Sequence, residues 1–581
     1  MYKTVRVAAL QFGAGTNVSD NHKKVLESIE KASLAKPDLM VLPEFCNHAS
    51  WYNDKEHCYE VSLELSDTFL KDVAAKAKEH NCYIVINVTL KRDEGKCSGS
   101  SLLFGRDGDL LGVSDKQVLM GHENDFLEKA TELSPIVETD IGRLGLYACM
   151  DGVIAETPRD LALRGAQILC NSLNSFAFDE ASLHIPVRAA ENKVFVVAAN
   201  KVASLIPEEL KEPVSQGIHI PAHFLDGAGE SQIIAPDGTI IAKGSLTGED
   251  IVIADIQPHL ADSKRRPDGN DIFANRRPDI YKELAQEPTE IPFSEKSTKL
   301  RVSTWQPTSI GKDAIDEICA AIPEIAKSWD IITLPELFFV DDLADISWGR
   351  CLDFSNYALT NIEKALEGTD LKICCSILME QETGIQHQGV ILSAEGLIHR
   401  QAQIHHSTRY MEQLELGQEL LIKEFNFGKI AIVVGDDSIY PELFRLAAIK
   451  GADLVLVPGH MQERWEHETG LLERASENRL CLAFASRPTE AGASLLFDLD
   501  SDFTILTPWE KRSFDGNISR AIQISAPRFP GLTGRTLNLI AAHNKDLSGR
   551  THLLNSRPWH LMGLDRTELT KMPQDTVSKR L

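Results

Sequence analysis

The strongest constraint on the fold is an internal repeat that runs through the chain of 581 residues. The apolar stretch TVRVAALQF at 4–12 pairs with KLRVSTWQP at 299–307, and PDLMVLPEF at 37–45 pairs with WDIITLPEL at 329–337. Because blocks repeated in the same order form the same structure twice, we predict a tandem duplication. The length agrees, since one hydrophobic core does not grow to this size.

The repeat predicts a first domain at 1–285, a linker at 286–298 and a second domain at 299–581. The linker is predicted because the sequence there, within LAQEPTEIPFSEKSTKL, is rich in Pro, Glu and Ser. Inside a copy, short apolar strands alternate with helical patterns, as at 21–35, and with hairpins that carry Asp-Gly turns, as at 230–245. This mixture predicts an α/β fold of the layered sandwich type.

Composition excludes several classes of function. The formal net charge of −25 opposes binding to nucleic acid, which needs clustered Lys and Arg. No apolar run is long enough to span a bilayer, and the N-terminus does not resemble a secretory signal, so we expect no membrane partner and a cytoplasmic protein. The 11 cysteines show no metal-binding spacing, and no phosphate-binding glycine loop occurs. We therefore expect no metal and no cofactor, and we interpret His405 and His406 as solvated or capping residues.

The two copies differ at one position that matters for chemistry. YACMDGVIAETPRDLALRGAQIL at 147–169 matches VVGDDSIYPELFRLAAIKGADLV at 433–455, yet the first has Cys149 where the second has Gly435. Cys149 follows an apolar strand, and side chains at strand ends are held rigidly beside crevices. The first copy therefore has a candidate nucleophile that the second lacks.

Three charged residues of the first copy join Cys149 as candidates. Glu44 ends the apolar strand LMVLPE, and a carboxylate at the end of such a strand is expected to have a polar or charged partner. Lys116 follows the hairpin DGDLLGVSDK, and Glu128 follows a short loop later, in FLEK. The order of these four residues and their surrounding motifs is the most specific signal in the chain.

With RGAQIL after the cysteine and RRPDIY near the end of the copy, this set resembles the nitrilase superfamily of carbon-nitrogen hydrolases over nearly all of 1–285. The resemblance implies a four-layer αββα sandwich in each copy. It implies a triad of Glu44, Lys116 and Cys149, with Glu128 as a supporting carboxylate. The backbone N–H of Met150 would then stabilise an oxyanion together with Lys116.

The segment after the nucleophile, with Asp151 and Gly152, is similar to the aliphatic amidase and formamidase branch, whereas true nitrilases usually have Trp-Glu there. The resemblance therefore favours a small linear amide as substrate and ammonia or an amine as product. Hydrolysis of an N-carbamoyl compound, nitrile hydrolysis and acyl transfer to an amine stay open. A binding or scaffold protein without catalysis is the alternative from another class.

The second copy keeps Glu336 in LPEL but has no lysine between Gly396 and Ile422, with Gln403 near the expected position. Without thiol and cation no covalent intermediate can form, so we expect a non-catalytic domain. Superfamily members usually pair through the helices after the nucleophile strand. The resemblance therefore implies an intramolecular pseudo-dimer in which 156–165 packs on 442–451, with further homo-oligomers possible.

Overall fold

The structure, a computed structural model, describes residues 3–343, 347–409 and 414–563. Parts of the predicted second domain, at 344–346, 410–413 and 564–581, lie outside the described residues. Within the described ranges, no helix is both long and apolar enough to cross a bilayer.

The chain forms two compact units that do not coincide with the two sequence blocks. The described part of the first unit comprises 3–264, 502–519 and 546–563, and the remaining described residues form the second unit. The boundary after Lys264 lies 21 residues before the predicted end of the first domain at 285. The predicted linker packs within the second unit, because Ser294 Oγ donates to Glu424 Oε1 over 2.8 Å.

The first unit contains two six-stranded sheets, ordered β12-β1-β2-β3-β4-β5 and β11-β10-β9-β8-β7-β6. The strands are β1 (Val5–Gln11), β2 (Leu39–Val41), β3 (Tyr83–Lys91), β4 (Cys97–Phe104), β5 (Leu110–Asp115), β6 (Ile136–Thr139), β7 (Gly142–Ala148), β8 (Ile168–Ser172), β9 (Phe195–Ala199), β10 (Gln232–Ile234), β11 (Ile240–Lys243) and β12 (Asp250–Ile256). The helices are α1 (Val18–Ser33), α2 (Lys55–Val61), α3 (Thr68–Glu79), α4 (Glu123–Phe126), α5 (Met150–Val153), α6 (Glu156–Leu163), α7 (Ile185–Asn192) and α8 (Glu208–Ile218).

The two sheets face each other, with β1 opposite β9 and β4 opposite β7. Helices α1 and α3 cover the outer face of the first sheet, and α6 and α7 cover that of the second. The first sheet buries apolar side chains against its helices, as Val25 and Ile29 of α1 pack with Leu10 and Ile84. This arrangement confirms the predicted αββα sandwich, and burial on both faces explains why the strands are continuous apolar runs.

The second unit repeats this architecture, with sheets ordered β17-β16-β15-β14-β13-β24 and β18-β19-β20-β21-β22-β23. The strands are β13 (Lys299–Gln306), β14 (Ile331–Thr333), β15 (Lys372–Glu380), β16 (Ile385–Ser393), β17 (Gly396–Ala402), β18 (Ile422–Phe425), β19 (Gly428–Ile432), β20 (Leu454–Pro458), β21 (Cys481–Ala485), β22 (Leu495–Asp498), β23 (Ile522–Ser525) and β24 (Gly531–Asn538). The helices are α9 (Gly311–Ile325), α10 (Trp348–Leu366), α11 (Pro441–Ile449) and α12 (Leu471–Asn478). Strand for strand this is the order of the first unit, as a duplication requires.

A short strand pair near the C-terminus belongs to the first unit. It consists of β25 (Asp546–Ser548) and β26 (Thr551–His552). Thr551 of β26 accepts a hydrogen bond from the backbone N of Gly121 at 2.7 Å and donates one to the carbonyl of Leu119 at 2.9 Å. Residues from the second sequence copy therefore hold a loop of the first unit in place.

Candidate active site

The three residues of the predicted triad all lie just beyond strand ends in the first unit. Glu44 follows β2, Lys116 directly follows β5, and Cys149 directly follows β7. Glu44 and Lys116 are fully buried or nearly so, and Cys149 is 9% exposed. The two facing sheets thus bring side chains that are 105 residues apart in sequence, from Glu44 to Cys149, to one place.

Cys149 has an unusual backbone conformation, with φ 46° and ψ −106°. A side chain in this left-handed region costs of order 1–3 kcal/mol, which the surrounding structure must offset. The backbone N of Cys149 donates to the carbonyl of Ser172 at 3.0 Å and to Asn171 Oδ1 at 3.1 Å. These bonds to β8 hold the sharp turn that presents the thiol.

Asp151 connects this turn to the strand end that carries Lys116. Its Oδ1 accepts hydrogen bonds from the backbone N of Gln117 at 3.0 Å and of Val118 at 2.8 Å. Its Oδ2 accepts from the backbone N of Ala148 at 3.3 Å. The side chain is 1% exposed, so Asp151 acts by fixing the positions of its neighbours.

Lys116 is the centre of the charged cluster. Its Nζ lies 2.8 Å from Glu44 Oε1 and donates to Glu123 Oε1 and Oε2 at 3.0 and 2.8 Å. Burial disfavours the charge, but Glu123, Glu44 and Cys149 together raise the pKa of Lys116 well above its ordinary value. The ammonium is therefore a fixed positive charge beside the thiol.

Glu44 has the properties of a general base. Burial raises the pKa of its carboxyl to about 7, against the opposing effect of Lys116. Its Oε2 has no hydrogen-bond partner among the described residues. A carboxylate whose pKa lies near neutrality and whose second oxygen is unoccupied can both accept and return a proton.

The surroundings of Cys149 favour its thiol over its thiolate. Burial, and then the negative charge of Glu44, raise its pKa well above the ordinary value, although Lys116 opposes this. Cys149 Sγ also lies 3.9 Å from Glu180 Oε1, a further carboxylate. A nucleophilic role for Cys149 would need a base that removes this proton, because the neighbouring cation does not lower the pKa of the thiol below its ordinary value.

Glu128, predicted as the supporting carboxylate, does not lie in this cluster. It is exposed, and its backbone N bonds to the carbonyl of Cys97 at the sheet edge. The carboxylate that contacts Lys116 is Glu123, five residues earlier, which is 5% exposed and also accepts from the backbone N of Met120 at 2.8 Å. The reason is the turn α4, whose first residue, Glu123, is buried, whereas Glu128 lies at the surface two residues after the turn ends.

Met150, predicted to supply an oxyanion N–H, is the first residue of the helical turn α5. First-turn N–H groups of a helix have no partner within the helix, so this position is compatible with the expected contact. Two further residues near the thiol were missed from sequence, Glu180 and Lys201. Lys201 is 1% exposed, and burial lowers its pKa to about 8. A lysine two residues after the end of the buried strand β9 was the signal available.

Two cavities of the first unit meet at Cys149. The larger has a volume of about 350 Å³ and is lined mainly by apolar side chains, and the smaller has about 70 Å³ and includes Asp179, Glu180 and Ser519. Both cavities reach the thiol. A bound molecule can therefore place its reacting carbon at Cys149 and extend one group into each cavity.

The corresponding place in the second unit is filled by ion pairs. Arg409 binds Glu336 Oε2 at 3.2 Å and Asp436 Oδ1 at 2.7 Å, and Arg266 binds Asp436 at 2.9 Å. A Cβ at Gly435 would lie only 2.3 Å from Glu336 Oε1. The second copy has therefore repacked this position, and a cysteine would not fit there without movement.

The interpretation of His405 as a solvated or capping residue was wrong. His405 is fully buried, its Nδ1 lies 2.8 Å from Asp437 Oδ1, and its ring stacks on Tyr440 with centroids 3.6 Å apart. Gln403, at the predicted cation position, donates to the carbonyl of His405 at 3.0 Å. At the predicted cation position the second copy therefore has the uncharged amide of Gln403.

Comparison with known sequences decides the family of the first copy. The family model described as carbon-nitrogen hydrolase matches residues 6–266, which include Glu44, Lys116, Glu123 and Cys149. Residues 6–266 belong to the carbon-nitrogen hydrolase family. Within this family, the chain is 28% identical over 282 residues to a nitrilase of Pyrococcus abyssi, covering 48% of this chain and 99% of that protein. It is 26% identical over 291 residues to omega-amidase NIT2 of Bos taurus, covering 48% and 97%.

The chain is also similar to parts of solved structures. The NitFhit protein of C. elegans shares 22% identity with a TM-score of 0.42, covering 52% of this chain and 71% of that chain. An amidase from Nesterenkonia sp. shares 21% identity with a TM-score of 0.40, covering 48% and 95%.

Proposed function

We propose that the first copy is an amidase that hydrolyses a carbon–nitrogen bond outside peptides through a thioester on Cys149. The observation that carries the proposal is the buried Lys116, held between Glu44 and Glu123 beside the thiol of Cys149 on a strained turn. An amide needs a nucleophile stronger than water, and a base–thiol pair supplies one.

The first half of the proposed cycle forms the thioester. Glu44 removes the proton of Cys149, and the sulfur attacks the amide carbon as the carbonyl π electrons move to oxygen. Lys116 Nζ and the N–H of Met150 stabilise this oxyanion, and removal of one such donor typically costs about 3–4 kcal/mol of barrier. Glu44 then returns the proton to the nitrogen, the carbon–nitrogen bond breaks, and ammonia or an amine leaves.

The second half uses water. Glu44, again a carboxylate, removes a proton from a water molecule whose oxygen attacks the thioester carbon. A second oxyanion forms in the same place and collapses, the carbon–sulfur bond breaks, and the thiol regains its proton from Glu44. The product is a carboxylic acid, and no cofactor or metal takes part in the proposed cycle.

The remaining parts of the proposal concern the second copy and the partners. We propose that the second unit is non-catalytic, because Gly435 replaces the nucleophile and Arg409 occupies the space beside Glu336. The partner of the first unit is a small-molecule amide. Pairing of 156–165 with 442–451 in a pseudo-dimer, and further homo-oligomers, stay predictions that a size measurement in solution can test.

The experiment compares Cys149→Ala with Cys319→Ala, since Cys319 is a partly exposed cysteine of the second unit. We expect ammonia release from amides to disappear in Cys149→Ala and to persist in Cys319→Ala. Intact-mass spectrometry during turnover should show an acyl adduct that hydroxylamine removes. Retained turnover in Cys149→Ala, or faster ammonia release from matched nitriles than from amides, would contradict the proposal.

A further inference from the structure

The larger cavity at Cys149 is suited to an apolar group. Six of its lining residues are Trp51, Phe126, Phe176, Ile218, Ile220 and Ile505. A volume of about 350 Å³ has room for roughly ten groups of the size of a water molecule. Binding sites of this size that are lined by aromatic and aliphatic side chains take ligands by removing apolar surface from water.

The charges around this cavity disfavour a substrate that carries a carboxylate. The ionisable lining residues are His122, Glu123 and Asp125, and no Lys or Arg occurs among the described residues that line it. Glu123 is held by Lys116, and Asp125 pairs with Arg550. An anionic group of a substrate in this cavity would lie near two carboxylates and would find no Lys or Arg to pair with among the described lining residues. The acyl part of the substrate should therefore be neutral.

The smaller cavity is suited to the unsubstituted nitrogen of a primary amide. Its volume of about 70 Å³ accommodates roughly two water-sized groups. Asp179, Glu180 and Ser519, which carry oxygen acceptors, are among the residues that line it. Oxygen acceptors in a small space match the N–H donors of an amide nitrogen and of departing ammonia, whereas an N-alkyl chain would not fit.

Part of the wall of both cavities comes from the second sequence copy. Ile505 lines both, and its segment, 502–519, belongs to the first unit. The segment is anchored beside the thiol, because Asp179 Oδ2 accepts from the backbone N and the Oγ of Ser519, each at 2.6 Å. Near its middle the backbone N of Trp509 donates to the carbonyl of Ile218 at 3.2 Å.

We propose that the substrate is a primary amide of a neutral, apolar carboxylic acid with up to roughly ten non-hydrogen atoms, and that the segment 502–519 determines this specificity. The apolar acyl part lies in the larger cavity and the amide nitrogen in the smaller one. This inference rests on the proposed amidase function and goes beyond it by assigning the substrate class and a specificity-determining segment.

The first experiment measures ammonia release by the full-length chain from acetamide, butyramide, hexanamide and octanamide. We expect kcat/KM to rise about fourfold per added methylene, which is the value of burying one methylene group. Adipamic acid, which ends in a carboxylate, should be at least 100-fold poorer than hexanamide, and N-methylhexanamide should be poorer than hexanamide. A preference for acetamide or for adipamic acid would overturn the inference while leaving the amidase proposal intact.

The second experiment does not need catalysis. In Cys149→Ala, binding of the same amides is followed by the fluorescence of the protein, since Trp51 lines the cavity. Tightening of Kd from butyramide to octanamide supports the inference even if no amide is hydrolysed, which would refute only the proposed function. Equal Kd values along the series, or tighter binding of adipamic acid, would overturn the inference.

The third experiment tests the segment. Ile505→Ala enlarges the cavity and Ile505→Trp fills it, and Ile540→Ala is the matched control because Ile540 of the second copy is 53% exposed. We expect the octanamide-to-acetamide ratio of kcat/KM to fall about tenfold in Ile505→Trp and severalfold in Ile505→Ala. Ile540→Ala should keep the wild-type ratio. If the two Ile505 variants, folded by circular dichroism, keep the wild-type ratio, the segment does not determine specificity.

Discussion

The two neighbouring glutamates, Glu123 and Glu128, provide a sharp test of the site geometry. Glu123→Gln keeps the size of the side chain but removes the charge that faces Lys116 Nζ at 2.8 Å. Charge-assisted hydrogen bonds are roughly twice as strong as neutral ones. Lys116 donates two hydrogen bonds to the Glu123 carboxylate, and Glu123→Gln removes the negative charge of their acceptor. We expect a loss of about 2–4 kcal/mol of transition-state stabilisation, which is about 30- to 1,000-fold in kcat.

Glu128→Gln is the matched control, because Glu128 is exposed and surface changes of this kind are usually within about 0.5 kcal/mol of neutral. The assay is kcat and KM for a primary amide, with thermal unfolding of each variant to exclude loss of fold. The effect of Glu123→Gln should fall on kcat more than on KM, since Lys116 acts on the oxyanion. If Glu128→Gln loses as much activity as Glu123→Gln, the assignment of the supporting carboxylate is wrong.

Three further predictions follow from the same contacts. Because burial raises the pKa of Glu44 to about 7, and only the carboxylate accepts a proton, kcat/KM should rise with pH through about 7; a rate profile flat from pH 5 to 9 would contradict this. Gly435→Cys should lower Tm and create no second active site, since its Cβ would lie 2.3 Å from Glu336 Oε1, and alkylation kinetics would reveal any new reactive thiol. A chain of residues 1–295 lacks 502–519 and should aggregate, self-associate or lose most activity, as size-exclusion chromatography and ammonia release will show; a soluble, monomeric and fully active product would refute the requirement for the second copy.

The fold was predictable from sequence because it depends on local patterns. Apolar strands and amphipathic helices recur in the same order in both copies, and the residues Glu44, Lys116 and Cys149 interrupt apolar strands at their ends, where polar side chains need partners. Their placement together in one buried site follows from the facing sheets. Their catalytic roles remain a prediction.

Two features could not be predicted, and both depend on tertiary packing. Glu123 and Glu128 are equally plausible in sequence, and only the turn α4 shows which of them faces inward. The membership of 502–519 in the first unit depends on contacts between residues more than 300 positions apart, such as Ser519 with Asp179. No periodic pattern carries this information, because loop segments pack according to the surfaces they meet.

Two residue pairs shared by the copies, Asp151 with Asp437 and Arg159 with Arg445, belong to a buried hydrogen-bond frame and have no direct part in the proposed chemistry. Asp151 and Asp437 each accept two hydrogen bonds from backbone N–H groups that follow the fifth strand of their own unit, β5 or β17. The matching arginines bind the ends of helices α7 and α12. Arg159 donates to the carbonyl of Glu191 at 2.9 Å, and Arg445 donates to that of Glu477 at 3.2 Å.

A frame of this kind is costly to change, because loss of one partner leaves a buried polar group unsatisfied at about 1–3 kcal/mol. The nucleophile is different: Cys149 requires a strained turn, whereas Gly435 adopts a positive φ of 55° without a Cβ in the way. The second copy therefore keeps this frame and has Gly435 in place of Cys149. Its segments 502–519 and 546–563 belong to the first unit, where their side chains line the cavities at Cys149 and hold the loop before Glu123.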